Sequence, residues 1–492
     1  MIQWIGAIFL VVGFVILFQL LGLVEKSKNV TGIAFKSLNI IGSPALSDEE
    51  KESELQKNSR KLFGLFFILA GGGAIALLLP VGILWIGDRL GWLSLTSVLD
   101  TTFSPLFIII SSIIIIVALF FKPKQQRSTA QTSSYSQLDR TLHQLAFNTY
   151  TAQIALADAE DALFSKQLAA YQTERPVFIT ALPRAGTTLL LECCASLPEF
   201  ASHRYRDMPF VIIPVFWNRF SKIFQQNVET QERAHGDGMK ISPDSPEALE
   251  ETIWKTFWQR HYHQDRIIHW DYEENKEFEE FFRSHLRKII WLRQSNSAVA
   301  PRYVSKNNAN IARIAMLKKL FPDSIIIIPF RDPLQHATSL LEQHLNFLNI
   351  HESDPFASEY MRAIGHYDFG QNLRPIDFNS WFDERKSRDA NSLAFWLEYW
   401  VASYEHLLQE NADLVNFFDY EALCNSPQQG LKTLAEVVAS SYPEMLISSA
   451  SRIRQPRLKE IDTGSLPASL LQEANLVFNR LQEKAVNSKK YQ

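Results

Sequence analysis

The run Thr180-Ala181-Leu182-Pro183-Arg184-Ala185-Gly186-Thr187-Thr188-Leu189 combines an arginine, a glycine and two adjacent hydroxyls. The apolar stretch 177–181, bounded by Pro176, reads as a strand. Residues 183–186 read as a turn, and Thr187 opens a helix that continues through Leu191. Backbone N–H groups and the positive end of a helix dipole converge at such a turn, which suits a phosphate or similar anion. Arg184, Thr187 and Thr188 add charge and further donors. The spelling is not that of a Walker A loop, which needs two glycines and a Gly-Lys-Ser/Thr ending. Here one glycine is present, and Arg184 precedes it.

A second motif lies at 325–340. An apolar, β-branched run ends at Arg331, and Asp332-Pro333 starts a helix, with proline suited to the first turn. Ser339 follows Arg331 by eight residues, about two helical turns along. A basic residue at a strand end and a hydroxyl on the following helix can grip one phosphate together. Arg331 could instead pair with Asp332, and Ser339 alone would be a surface serine; only their pairing points to a ligand.

The elements that must position these residues follow from the pattern around them. From about 174 to about 485 strand-like runs alternate with helical ones, which predicts an α/β domain with a mainly parallel sheet flanked by helices. The continuous apolar run 325–329 fits a buried central strand, and 415–418 is a further short strand. Trp254, Phe257, Trp258 and Tyr262 recur at helical spacing and read as core. The clustered His261, His263 and His269 spell no ligand motif and read as packing or surface groups. Cys193, Cys194 and Cys424 are the three cysteines; the adjacent pair in the helix after the loop cannot bridge without strain, so a reducing compartment fits.

The two motifs, in this order, resemble the sulfotransferase family in its bacterial and Golgi-type branch. Pro183-Arg184-Ala185-Gly186-Thr187-Thr188 resembles the loop that binds the 5′-phosphosulfate of 3′-phosphoadenosine 5′-phosphosulfate (PAPS), with Ala185 in place of the usual serine. Arg331 and Ser339 resemble the strand-end arginine and helical serine that bind its 3′-phosphate. Ser305-Lys306-Asn307-Asn308, Phe321-Pro322-Asp323 and Phe417-Phe418-Asp419-Tyr420-Glu421-Ala422-Leu423 resemble further segments of the family. The resemblance covers roughly 174–440. It implies a P-loop-like sulfotransferase fold with PAPS as co-substrate and no metal. It further implies that Arg184, Ala185, Gly186, Thr187, Thr188, Leu189, Arg331, Ser339 and Lys306 contact the donor. Lys306 reads equally as a solvated loop lysine. Relatives place a carboxylate base about twenty residues after the loop; here Asp207 stands nearest in chemistry and His203 second, with Arg184 as charge stabiliser. Asp207 beside Arg206 could instead form a structural ion pair.

The first 124 residues have another character. Runs 1–24, 62–86 and 103–121 are uncharged and each long enough to cross about 30 Å of hydrocarbon, which predicts three transmembrane helices. The first run lacks a basic start and a small-residue cleavage site, against a cleaved signal peptide. The loop 25–61 carries seven Lys/Arg and the loop 87–104 one, so the positive-inside rule places the C-terminal part in the cytoplasm, at a bacterial inner membrane. Residues 125–173 read as a polar linker, ending near 137, and a juxtamembrane helix; 174–485 is the sulfotransferase domain. A formal net charge of −4 gives no basic field for nucleic acid. The expected activity is sulfuryl transfer to a hydroxyl of a glycan, lipid-linked or small acceptor at the membrane. The alternatives are a P-loop-type kinase or NTPase, and a catalytically inactive membrane scaffold. Neither the acceptor nor the oligomeric state is spelled in the sequence.

Overall fold

The computed structural model describes residues 2–23, 26, 30, 33, 48–104, 107, 143, 146–147, 150–221, 231–232, 240–294 and 299–488. The chain divides into two compact units, Met1–Gln131 and Thr132–Gln492.

The first unit holds α1 (Ile2–Leu20), α2 (Asp48–Arg89) and α3 (Leu95–Thr102). They close on one another at small residues. A Cβ on Gly6 would lie 2.8 Å from Val98, and one on Gly13 would lie 3.1 Å from the Pro80 ring. Ala7, Leu10, Leu84, Val98 and Phe107 form the buried cluster between them. Large apolar side chains such as Phe63, Phe66, Phe67 and Leu78 face outward instead. Among the described residues two helices, not the expected three, are long and apolar enough to cross a membrane. The third apolar run, from 103 to 121, lies mostly outside the described residues, as does the linker before 137. The second span is part of a longer helix: α2 has 42 residues, and its first turns, from Asp48 to Lys61, are charged.

The second unit is built on a five-stranded sheet. Its strands are β1 (Val177–Ile179), β2 (Phe200–Ala201), β3 (Arg302–Lys306), β4 (Ile325–Phe330) and β5 (Asn416–Asp419). Their spatial order is β2-β3-β1-β4-β5, and every pairing is parallel. β1 lies at the centre, with Val177 opposite both Val304 and Ile325. Its three residues are fully buried because both sheet faces are covered by helices. The period of two sorts the side chains. Val177, Ile179, Val304, Ile327 and Phe418 join one core cluster with Leu190, Leu191, Cys193 and Cys194. Phe178, Tyr303, Ile326, Ile328 and Phe417 join the other.

The helices that frame the site are α4 (Tyr150–Leu163), α5 (Thr187–Ala195), α6 (Glu251–Phe257), α7 (Lys276–Arg293), α8 (Pro333–Ser353), α9 (Pro355–Ala363), α10 (Leu393–Glu410) and α11 (Tyr420–Asn425). α4 falls within the expected juxtamembrane helix, and its buried face carries charge. Glu160 and Lys288 of α7, both fully buried, stand 3.2 Å apart, and Asp161 lies 3.0 Å from the same ammonium. The aromatic stripe is core, with Trp254 and Trp258 buried, and all three cysteines are buried and free.

Candidate active site

The loop between β1 and α5 alternates its backbone hand. Arg184 has φ 70° and Gly186 has φ 97°, both left-handed, while Ala185 between them does not. Such alternation curls successive N–H groups around one concavity, the geometry of an anion nest. For a non-glycine residue like Arg184 the left-handed state costs about 1–2 kcal/mol. Gly186 is required twice over, since a Cβ there would also meet the Tyr420 ring at 2.4 Å. As N-cap of α5 it supplies no capping side chain, so the first-turn N–H groups are not taken by one. Ala185 is fully buried in the core, so its side chain points away from the concavity and only its backbone belongs to the loop's inner surface.

Arg331 follows β4 directly, beside β1, and so stands across from this loop. Its Nη1 donates to the Arg184 carbonyl at 3.1 Å, and Arg184 Nε donates to Ser339 Oγ at 3.4 Å. Two hydrogen bonds therefore join motifs that lie far apart in sequence. The other side of Arg331 is held by Glu421, whose Oε1 accepts from Nε at 3.4 Å and whose Oε2 accepts from the Asp332 N–H at 3.3 Å. Burial raises the Glu421 pKa to about 7, with Arg331 only partly offsetting it. The Arg331 guanidinium also lies 5.2 Å from the centre of the Tyr420 ring.

Of these, Arg184, Gly186, Arg331 and Tyr420 line one cleft of about 240 Å³; Ser339, Ala185 and Glu421 do not line it. Arg184, Gly186, Thr187, Thr188, Leu189 and Arg331 line it, and Lys306 enters from the end of β3. Asn308, His366, Asp368, Phe369 and Tyr420 complete the lining. A polar chain crosses the floor. Thr187 Oγ1 donates to Asn308 Oδ1 at 3.4 Å, Asn308 Nδ2 donates to Asp368 Oδ2 at 3.0 Å, and His366 Nε2 lies 3.6 Å from the same oxygen. Burial lowers the His366 pKa although Asp368 pulls the other way, which favours the uncharged ring.

The turn that carries His366 is held from behind. Lys255 of α6 donates to the carbonyls of Arg362 and Ala363 at 2.9 and 2.5 Å, and Tyr150 of α4 donates to Ala363 at 3.1 Å. The β3 end is fixed by a buried network. Glu251 pairs with Arg313 and accepts from Asn307 Nδ2 at 2.8 Å, while Arg313 lies over the Trp254 ring.

The two residues expected to supply the base are elsewhere. Asp207 and His203 are each 1 % exposed and neither lines the cleft. Asp207 pairs with Arg293, accepts from the Arg204 N–H at 2.8 Å, and faces His203 Nδ1 at 3.5 Å. Burial alone would raise its pKa, but His203 and Arg293 more than offset this and hold it below the ordinary carboxylate value. His203 stacks on His285, their Nε2 atoms 3.1 Å apart. Asp207 ends a short turn, Tyr205–Asp207, in which its side chain is buried. His366 and Asp368 escaped the sequence reading because no spacing ties them to either anion motif. The only signal was a His-Tyr-Asp-Phe-Gly segment just after a helix.

Comparison with known proteins bears on this arrangement. Residues 176–374 match the model of the sulfotransferase family Sulfotransfer_3, a span that holds β1, β3, β4, both anion motifs and His366. The match supports the sulfotransferase family, and sulfuryl transfer in general, for less than half of the chain. No curated protein is significantly similar. Among solved structures, sulfotransferase STF9 from Mycobacterium avium is 16% identical, with 70% of this chain and 82% of that chain covered and a TM-score of 0.36. STF1 from Mycobacterium tuberculosis H37Rv is 13% identical over 70% and 82%, with a TM-score of 0.32. The sulfotransferase domain from the curacin biosynthetic pathway is 12% identical over 62% and 98%, with a TM-score of 0.28. Scores this low add no weight to the family-model match.

Proposed function

We propose that this chain transfers a sulfuryl group from PAPS to a hydroxyl of a glycan, lipid-linked or small acceptor. The observation that supports the reading is one cleft lined by Arg184, Gly186, Thr187, Thr188 and Arg331 together with His366, with Ser339 hydrogen-bonded to Arg184 just behind it. A donor with a single phosphate cluster has no use for Arg331 and Ser339 as well as the Arg184 loop. Bound there, PAPS would supply the sulfuryl group and depart as adenosine 3′,5′-bisphosphate.

The residues divide the work. The loop N–H groups from Arg184 to Leu189, with the side chains of Arg184, Thr187 and Thr188, hold the 5′-side oxyanions and stabilise the charge that develops on the leaving oxygen. Arg184 is always charged and acts by charge, not by giving up a proton. Arg331 and Ser339 hold the 3′-phosphate, and Lys306 reaches the donor from the opposite strand. His366 takes the proton of the acceptor hydroxyl, with Asp368 stabilising the imidazolium that forms. The reading needs no metal. In domain terms, 1–124 is a membrane anchor, 125–173 a connector ending in a helix, and 174–485 the catalytic domain on the cytoplasmic side.

Thermal shift of the full-length protein in detergent, with adenosine 3′,5′-bisphosphate against ATP and magnesium, separates this reading from a kinase or NTPase; preference for ATP overturns it. Transfer of labelled sulfate from PAPS by membranes carrying the protein, compared with Arg184→Ala, separates it from an inactive scaffold. Equal incorporation in the two samples would count against the assignment.

A further inference from the structure

Two consecutive carbonyls of the anion loop are engaged by donors from the β4–α8 segment. The Arg184 carbonyl accepts from Arg331, as described above. The Pro183 carbonyl accepts from His336 Nε2 at 2.8 Å. His336 lies in the first turn of α8, is fully buried, and does not line the cleft. Its other ring nitrogen is also occupied: Trp400 Nε1 on α10 donates to Nδ1 at 3.1 Å. An indole N–H can only donate, so Nδ1 must be bare and Nε2 must carry the hydrogen. The direction of the bond to Pro183 is therefore fixed by Trp400.

The ring is also held neutral. Burial, and then the charge of Arg331, push its pKa down to about 3, with Arg184 adding to the effect. One turn further along α10, the Tyr404 hydroxyl donates to the Pro329 carbonyl at 3.1 Å. The same helix thus secures the end of β4 and, through His336, the start of the loop. A carbonyl left without a donor at Pro183 would be free to turn, and a peptide that turns carries the adjoining N–H with it. An oxygen facing the concavity repels the anion that an N–H would bind.

We propose that His336 is a positioning residue of the anion loop. Held in its Nε2–H tautomer by Trp400, it binds the Pro183 carbonyl and keeps the loop N–H groups turned toward the cleft. This rests on the loop being the donor cradle, and it adds to that reading a residue outside the cleft on which donor affinity depends.

The test compares His336→Gln with His336→Asn in the full-length protein, with adenosine 3′,5′-bisphosphate as the calorimetric probe. Glutamine places an N–H near the position of Nε2 and can still reach Pro183, whereas asparagine ends near Nδ1 and cannot. The Gln variant is expected to bind within about threefold of the unmodified chain, and the Asn variant roughly tenfold more weakly, the scale of one lost hydrogen bond to a buried group. Both are measured below their own melting temperatures, so a loss of stability alone does not separate them. Equal affinities in the two variants, whether both intact or both weakened, overturn the proposal. If the Asn chain does not fold, Trp400→Phe keeps an aromatic ring at that position and removes the donor to Nδ1. It is expected to weaken binding severalfold, and unchanged affinity there overturns the proposal as well. An unmodified chain that does not bind the probe overturns the donor reading itself, and this inference with it.

Discussion

At the scale of residues, His366 and Glu421 make separable predictions. His366 lines the cleft but belongs to neither sequence motif, so its removal should leave donor binding alone and slow the chemical step. His366→Ala is expected to lower the sulfation rate by about 10²- to 10⁴-fold, the usual contribution of a general base. Calorimetry should find adenosine 3′,5′-bisphosphate affinity nearly unchanged; a parallel loss of both would remove His366 from the role of base. Glu421 acts on binding instead. Its folded pKa of about 7 lies above its ordinary 4.5, so the folded state favours the protonated form. The stability this contributes is fully present below about 4.5 and is lost as pH rises through about 7. A phosphate at Arg331 favours the same neutral form, because the ionised carboxylate both competes for Arg331 and repels the ligand. Glu421→Gln should therefore bind the bisphosphate more tightly than the unmodified chain at pH 8, by roughly three- to tenfold, and about equally at pH 6. A ratio that does not change with pH would rule out this coupling.

Among elements, α4 decides whether the segment after the linker belongs to the catalytic fold. Tyr150 of α4 holds the carbonyl of Ala363 behind His366, and Glu160 meets Lys288 where both are fully buried. Removing one partner of such a pair leaves an uncompensated buried charge, which costs about 3–5 kcal/mol. Lys288→Met should lower the unfolding free energy of the second unit by that amount, read as a lower melting temperature, and Lys288→Met with Glu160→Leu should recover most of it. A single variant as stable as the unmodified chain would mean that α4 is only loosely attached. The elements themselves were legible to different degrees. β1, β4 and β5 stood out as short apolar runs because both sheet faces are covered. β2 and β3 did not, since two-residue and mixed strands carry too little periodicity to be seen.

For the whole molecule, the prediction concerns the membrane. α1 and the apolar part of α2 present large apolar side chains outward, which a water-exposed helix pair would not tolerate. The protein is expected to remain in the membrane fraction after alkaline carbonate extraction. Reporter fusions after Lys124 should be active only with a cytoplasmic reporter. Extraction into the soluble fraction would remove the anchor, and an extracytoplasmic signal would reverse the orientation inferred from the loop lysines and arginines.

The sequence alone determined the anion loop, the Arg331–Ser339 pair and the covered parallel sheet. Each of these is written within one strand, turn and helix, where side-chain period and backbone hand follow directly from neighbouring residues. The tertiary structure decided which residues share a cleft: Arg331 and His366 line it with the Arg184 loop, and Asp207 and His203 do not. Asp207 and His203 sit close to the loop in sequence, but their turn folds inward onto Arg293 and His285. His366 and Asp368 reach the cleft because α6 and α4 hold the carbonyls before them. Residues brought together by packing of distant segments leave no spacing in the chain, since the contacts that place them lie between elements and not within one.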